Sequence, residues 1–365
     1  MSMRVLVVDD TVVFRRIVSD ALKAVPGVEV VGTASNGRLA MARIAALQPD
    51  LVTLDIEMPE MNGIEVLEAI NAAGTKTGVI MLSSLTERGG EMTVRALELG
   101  AFDFLTKPEG SDAAGNLVHL RTCLAAMIGA FERRREIRAI LRGAALRSVP
   151  EAISAAPAAT LPRPSRGLRC TGSPLVLIGV STGGPGALAE LVPALPADLG
   201  APVFIVQHMP PMFTQPLAAS LDKRSAVRVK EAQDGEAAQS NCAYVAPGGR
   251  QMKLAPGSKG EIILRITDDP PENGCKPAVD YLFRSAALHF PGRSVAAILT
   301  GMGSDGTDGL RMLKRSGCFS IAQDEASCVV FGMPKEAIKA GVVDTVTPIE
   351  TIGAAIVRAV RRARA

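Results

Sequence analysis

The sequence predicts two α/β domains, each built on a doubly wound parallel sheet, joined by a linker. Three observations carry this reading. Short apolar runs alternate with helix-length stretches on both sides of the chain's midpoint, as β-α units feeding a parallel sheet do. Between them, SVPEAISAAPAATLPRPSRGLRCTGSP is rich in Ala, Pro, Ser and Arg and lacks apolar periodicity. The length, 365 residues, suits two cores better than one. The expected boundaries are residues 1–142, a linker at 143–172, and residues 173–365.

In the first domain, strands are expected at Arg4–Val8, Val28–Thr33, Leu51–Leu54, Gly78–Leu82 and Phe102–Leu105. Helices such as Phe14–Val25 and Leu39–Leu47 lie between them, and a last helix covers Leu117–Leu141. Its charged end, Arg133-Arg134-Arg135-Glu136, reads as a solvated face. In the second domain, strands are expected at Leu175–Gly179, Pro202–Val206, Ala243–Val245, Glu261–Ile266, Ser294–Leu299 and Phe319–Ala322.

Composition narrows the function classes. Hydrophobic residues make up 47% and aromatics only 3%, so aliphatic side chains must fill the cores. The net charge of +3, without a clustered basic excess, gives no support for nucleic acid as a partner. Six Cys (Cys123, Cys170, Cys242, Cys275, Cys318, Cys328) form no C-x-x-C pair, and no His stands at ligand spacing from them. They predict neither a zinc site nor a disulfide framework, but small core side chains in a reducing compartment. The opening MSMRVLVVDD enters a strand directly, and no apolar run is long enough to span a bilayer. A cytoplasmic protein without membrane insertion is expected.

Polar residues collect at the ends of the first domain's strands. Asp9 and Asp10 follow the first, Asp55 the third, Ser83 the fourth, and Thr106, Lys107 and Pro108 the fifth. In an open parallel sheet these ends share one edge, so the residues converge although they are distant in sequence. Crowded carboxylates need a cation, and oxygen ligands suit Mg²⁺. Asp55 could then accept a phosphoryl group as an aspartyl phosphate, with Lys107 offsetting the charge and the Ser83 hydroxyl donating to it.

The motifs VVDD, LDIEMPEMNG, MLSS and FLTKP resemble those of the response-regulator receiver domain, with its flavodoxin-like fold, over roughly Met3 to Leu141. The resemblance implies Mg²⁺ at Asp9, Asp10 and Asp55, phosphorylation of Asp55 by a histidine kinase phosphodonor, Ser83 and Phe104 as switch residues, and Lys107 as the family's lysine. It also implies a cis Lys107–Pro108 bond.

In the second domain, LVLIGVSTGGPGALAELVPAL reads as strand, Gly-rich turn and helix, with Ser181 in the turn. This is near the G-x-S-x-G pattern that exposes a serine oxygen at a helix start. Such turns also bind phosphates, so a nucleotide site competes, although the segment lacks a GK[ST] ending. The chain has three His, and His208 alone follows a strand of this domain, placing it at the same edge as Ser181; His119 and His289 read as packing or surface residues. Asp305 lies in TGMGSDGTDG after another strand, again at that edge. Serine, neutral imidazole and carboxylate together make a nucleophile, a base and an orienting acid. Asp308 is a rival for the last role but reads better as a helix N-terminal residue.

The segments IGVSTGGP, VQHMPPMFT, YVAPGGRQM, PAVDYLF, ILTGMGSDGTDG and QDEASCVVFGMPKEA resemble the catalytic domain of chemotaxis-type protein-glutamate methylesterases, a Rossmann-like serine hydrolase, from about Pro174 to Val357. By that resemblance Ser181, His208 and Asp305 are the triad, and backbone N–H groups near Thr182 and Met302 serve the oxyanion. The substrates would be methylated chemoreceptor cytoplasmic domains, with γ-methyl glutamate esters cleaved and Gln residues deamidated. No cofactor is implied for the esterase step. Gln251 departs from the pattern, which has His there.

Overall fold

A computed structural model describes residues 2–108, 113–145 and 173–364. Most of the expected linker therefore lies outside the described residues. The first unit runs β1 (Met3–Val8), α1 (Val12–Lys23), β2 (Val28–Ala34), α2 (Gly37–Leu47), β3 (Leu51–Asp55), α3 (Gly63–Ala72), β4 (Gly78–Ser83), α4 (Glu87–Glu98), β5 (Asp103–Thr106) and α5 (Ala113–Ala145). Its strands are parallel in the order β2-β1-β3-β4-β5. The order reverses at β1, so the crevice between the ends of β1 and β3, where Asp9 and Asp55 stand, is the switch point at which such sheets bind ligands. The helix α5 continues to Ala145, past the boundary expected at residue 142.

The second unit begins with β6 (Leu175–Val180), α6 (Gly184–Leu191), β7 (Val203–Gln207), α7 (Thr214–Asp222), β8 (Arg228–Glu231) and β9 (Cys242–Val245). It continues with β10 (Gln251–Pro256), β11 (Ile262–Thr267), α8 (Val279–His289), β12 (Ser294–Ile298), α9 (Thr307–Arg315), β13 (Phe319–Gln323), α10 (Met333–Lys339), β14 (Thr345–Thr347) and α11 (Ile349–Arg364). The main sheet is parallel, in the order β14-β13-β12-β6-β7-β9-β8. Its reversal falls at β6, between β12 and β7, so the loops after those three strands meet at one crevice. Strands β6, β7 and β12 are buried throughout, which is why they read as unbroken apolar runs.

Four strands depart from the sequence expectation: β8, β10 and β14 are not among the expected strands, and β11 lies outside the main sheet. The segment expected at Glu261–Ile266 forms β11, which pairs antiparallel with β10 outside the main sheet. One side of that ribbon is exposed, so β11 lacks the continuous apolar signal of the central strands. The edge strands β8 (RVKE) and β14 (TVT) are short and polar, and edges are kept that way.

The two units touch. Helix α4 packs on α6 and α7, and Phe104 at β5 stacks on Phe213 with ring centroids 4.9 Å apart. Glu98 accepts from Arg224 Nη1 at 3.1 Å and from Ser220 Oγ. Val330, with Met302 and Val329, joins the apolar cluster of Leu124, Ile128 and Phe131 on α5. The Lys107–Pro108 bond is trans, correcting the expected cis bond; Lys276–Pro277 is the one cis bond among the described residues. The trans form is intrinsically favoured by about 0.5–1 kcal/mol, and Lys107 reaches its partners from it.

Phe283 is fully buried and seats α8, whose first turn faces the crevice, against β10 and α9. Phe283→Ala should cost about 3–5 kcal/mol of stability, read from urea unfolding. A loss below about 0.5 kcal/mol, the scale of surface changes, would contradict this packing.

Candidate active site

At the first switch point, one carboxylate oxygen each of Asp9, Asp10 and Asp55 lies within 4.8 Å of the others. Lys107 Nζ sits 2.8 Å from Asp9 Oδ2 and 2.8 Å from Asp55 Oδ2. Burial pushes the Asp55 carboxyl up to about 6, with Lys107 pulling the other way. Burial disfavours the Lys107 charge, but the two carboxylates outweigh it and hold its pKa above the ordinary value. Three carboxylates against one ammonium leave excess negative charge and an all-oxygen donor set, which fits a hard divalent cation. The Ser83 hydroxyl is turned toward α4: it donates to Gly89 O at 3.3 Å and accepts from Thr93 Oγ1 at 2.8 Å. Phe104 faces the second unit, stacked on Phe213.

At the second switch point, Ser181 and His208 follow adjacent strands. Val180 pairs with Gln207, and the His208 N–H donates to Val180 O at 3.1 Å. The turn carrying Ser181 is held by its N–H donating to Thr300 O at 3.0 Å, while Thr300 Oγ1 donates to Thr182 O at 2.9 Å. Gly183 takes φ +75°, where a side chain would also strike Val329. Gly301 lies against Ser181, and a Cβ there would come within 2.8 Å of the Ser181 Cβ. Gln207, buried at the end of β7, donates to Ser181 O at 3.0 Å and His208 O at 3.1 Å, tying the two loops together.

His208 Nε2 meets Asp305 Oδ2 at 2.7 Å. Asp305 also accepts from the N–H groups of Val279 (2.7 Å), Asp280 (3.0 Å) and Gly306 (3.0 Å), and from Asn273 Nδ2 (2.9 Å). Burial alone would raise its pKa, but His208 and these donors hold it below the usual carboxylate range. For His208, burial works against the charged ring, yet the bond to Asp305 and the adjacent Cys275 outweigh it and hold the pKa above the ordinary value. Asp308 sits in the first turn of α9, exposed and paired with Arg311, away from the imidazole.

Nε2 thus meets Asp305, and Nδ1 is the ring nitrogen that remains. This reverses the common Ser-His-Asp arrangement, where the acid takes Nδ1. Ser181, Thr182 and His208 line one cavity of about 190 Å³. The Ser181 hydroxyl makes no hydrogen bond to the ring among the described residues; Cys275 Sγ stands 3.6 Å from Nδ1. Such bonds are often long before substrate binds. The N–H groups of Thr182 and Met302 donate to no backbone carbonyl among the described residues. The Met302 side chain lines a neighbouring cavity.

Nothing in the sequence points to Asn273 or Cys275 at the site, and Gln251 stands out there as a departure without its partners showing. Asn273 bridges Asp280 Oδ2 at 2.8 Å and Asp305 Oδ1 at 2.9 Å. Gln251, where the family pattern expects His, is fully buried and clamps the loop before α8. It donates to Pro270 O (3.1 Å) and Cys275 O (3.3 Å) and accepts from the Ala278 N–H (2.9 Å). Cys242, Cys318 and Cys328 are buried as expected of small core side chains, but Cys275 and Cys123 each stand beside an imidazole, against the expectation. His119 and His289 are exposed on helices.

A hydrolase-type crevice and a receiver-type acidic pocket therefore share one chain. The CheB methylesterase family model matches residues 176–356, and the response regulator receiver domain matches residues 5–118. A protein-glutamate methylesterase/protein-glutamine glutaminase of Desulfotalea psychrophila is 48% identical, over 99% of both chains. One of Bacillus subtilis is 44% identical, also over 99% of both. The crystal structure of the Thermotoga maritima CheB methylesterase catalytic domain is 41% identical with a TM-score of 0.50, covering 51% of this chain and 98% of that one. The chain belongs to the CheB methylesterase family, as an enzyme carrying a response regulator receiver domain. No helix among the described residues is long and apolar enough to cross a membrane.

A base works only when neutral, so with the His208 pKa raised, activity should fall as pH drops through that raised value. The acid limb of the kcat/KM profile is expected above ~6.5, the ordinary His value. A limb at or below that value would contradict the geometry.

Proposed function

We propose that this chain hydrolyses γ-methyl esters of glutamate side chains on methylated chemoreceptor cytoplasmic domains, and deamidates selected glutamines by the same route. The family and the names of the relatives support the substrate class. The observation that carries the chemistry is the 2.7 Å contact of His208 with Asp305 at the mouth of the Ser181 turn.

Ser181 Oγ attacks the ester carbonyl and His208 Nδ1 takes its proton. Asp305 holds the ring in the Nε2–H form and stabilises the imidazolium. The Thr182 and Met302 N–H groups receive the oxyanion. His208 then gives the proton to the departing methoxide, and methanol leaves an acyl-Ser181. Water attacks next, losing its proton to His208, and the glutamate carboxylate is released. With glutamine the leaving group is ammonia.

Asp55 is proposed as the phosphoryl acceptor, supplied by a histidine kinase in the cytoplasm. Asp9, Asp10 and Asp55 would hold Mg²⁺, which when bound supplies positive charge against the phosphoryl oxygens. The Ser181 cavity is walled by Asp103, Phe104, Leu105 and Met127 of the receiver. Burial raises the Asp103 carboxyl to about 6 there, partly offset by hydrogen bonds from the Phe104 N–H and Thr182. In this proposal the receiver restricts access to the serine, and phosphorylation would draw Ser83 and Phe104 inward and loosen the stack on Phe213. A tenfold activation needs only about 1.4 kcal/mol of bias.

Ser181→Ala should lower kcat for methanol release from methylated receptor by roughly 10⁴- to 10⁶-fold; near-normal release would refute the assignment. Asp55→Asn should abolish stimulation by a small phosphodonor. If the variant is still stimulated, Asp55 is not the acceptor.

A further inference from the structure

We propose that Cys275, His208 and Asp305 form an inhibitory site for a zinc-class divalent cation. The site rests on a juxtaposition that the hydrolytic cycle does not use. Cys275 Sγ stands 3.6 Å from His208 Nδ1, and one donor atom of each of the three residues lies within 4.8 Å of the other two. Thiolate, imidazole and carboxylate are the donors that zinc takes, and its bond lengths of about 2.0–2.3 Å place neighbouring ligands of a tetrahedral site roughly 3.3–3.8 Å apart. Cys275 lies beside Nδ1 and Asp305 on Nε2, so closing the set around one ion turns the imidazole and exchanges its hydrogen bond to Asp305 for metal bonds.

The surroundings hold the ligands in position. The Cys275 backbone is anchored by Gln251, which donates to its carbonyl at 3.3 Å and to Pro270 O at 3.1 Å. The Asp305 carboxylate is fixed by Asn273 and by the first-turn N–H groups of α8. Such outer hydrogen bonds orient metal ligands and tune their basicity.

Ligand softness separates this site from the receiver pocket. The carboxylates of Asp9, Asp10 and Asp55 suit magnesium, whereas a sulfur ligand disfavours magnesium and favours zinc. Binding releases the thiol proton to solvent and engages the imidazole and the carboxylate, so the Ser181 proton loses its acceptor. Inhibition rests on His208 being the base for Ser181; formation of the site does not.

The test uses the reduced full-length protein with saturating Mg²⁺. Cobalt(II), a spectroscopic stand-in for zinc, should give a thiolate-to-cobalt charge-transfer band, which the sulfur-free receiver pocket cannot produce. Zinc should slow methyl-ester hydrolysis at least tenfold, each variant being normalised to its own metal-free rate. Cys275→Ala should lose both the band and the inhibition. Cys123→Ser should keep both, since Cys123 stands beside His119, at 3.7 Å, on a receiver helix and not at the crevice. Absence of the band in the unaltered protein, or survival of band and inhibition in Cys275→Ala, overturns the proposal. A band that depends on Cys275 while hydrolysis ignores zinc would uphold the metal site and sink the role of His208 as base.

Discussion

A single buried carboxylate organises the catalytic half. Asp305 is 4% exposed, and its oxygens receive hydrogen bonds from His208, Val279, Asp280, Gly306 and Asn273. An ionised carboxylate without such donors would be costly to bury, and breaking one buried ion pair costs about 3–5 kcal/mol. The loop after β12, the start of α8 and the Asn273 turn must therefore converge before the charge can stay. Once they do, the imidazole has one place to put Nε2, and Nδ1 is the ring nitrogen that remains, with Cys275 Sγ 3.6 Å from it. Asp280 bears the cost of this crowding: burial and the adjacent Asp305 raise its carboxyl to about 6, although Gly309 and Asn273 donate to it.

The same logic of sheet edges links the two domains. Each main sheet reverses its strand order beside its first strand, β1 or β6, and the polar residues of each site stand at that reversal. The two edges lie against each other. Strand β5, which ends next to Lys107, also carries Phe104 to Phe213 and Asp103 to Thr182. A change of charge around Asp55 and a change of cover over Ser181 are therefore separated by one short strand and its side chains. Glu98 on α4, paired with Arg224 and Ser220, adds a polar clasp at the rim of that contact.

Much of this was legible in the residues. Central parallel strands announce themselves as buried apolar runs, so β1, β3, β6, β7 and β12 and the polar residues after them could be placed with no coordinates. Strand ends put His208 and Asp305 at one edge, and the family resemblance chose Asp305 over Asp308 as the acid; the structure shows them in contact. What escaped had no such signal. The edge strands β8 and β14 are short and polar, and β11 is apolar enough to suggest a strand but not to say which sheet it joins. Asn273, Cys275 and Gln251 act through an irregular loop whose path depends on pairings between residues far apart in sequence. Nothing in PENGCKP says that its thiol will meet an imidazole more than sixty positions earlier.

The central claim is that Asp305 fixes His208 with its proton on Nε2 and leaves Nδ1 for the serine. Ring ¹⁵N chemical shifts of imidazole-labelled protein test it directly, since the chain has only three histidines to assign. The neutral His208 ring should show a protonated Nε2 and a bare Nδ1, and Asp305→Asn should disturb that preference. A neutral ring carrying its proton on Nδ1 would contradict the account.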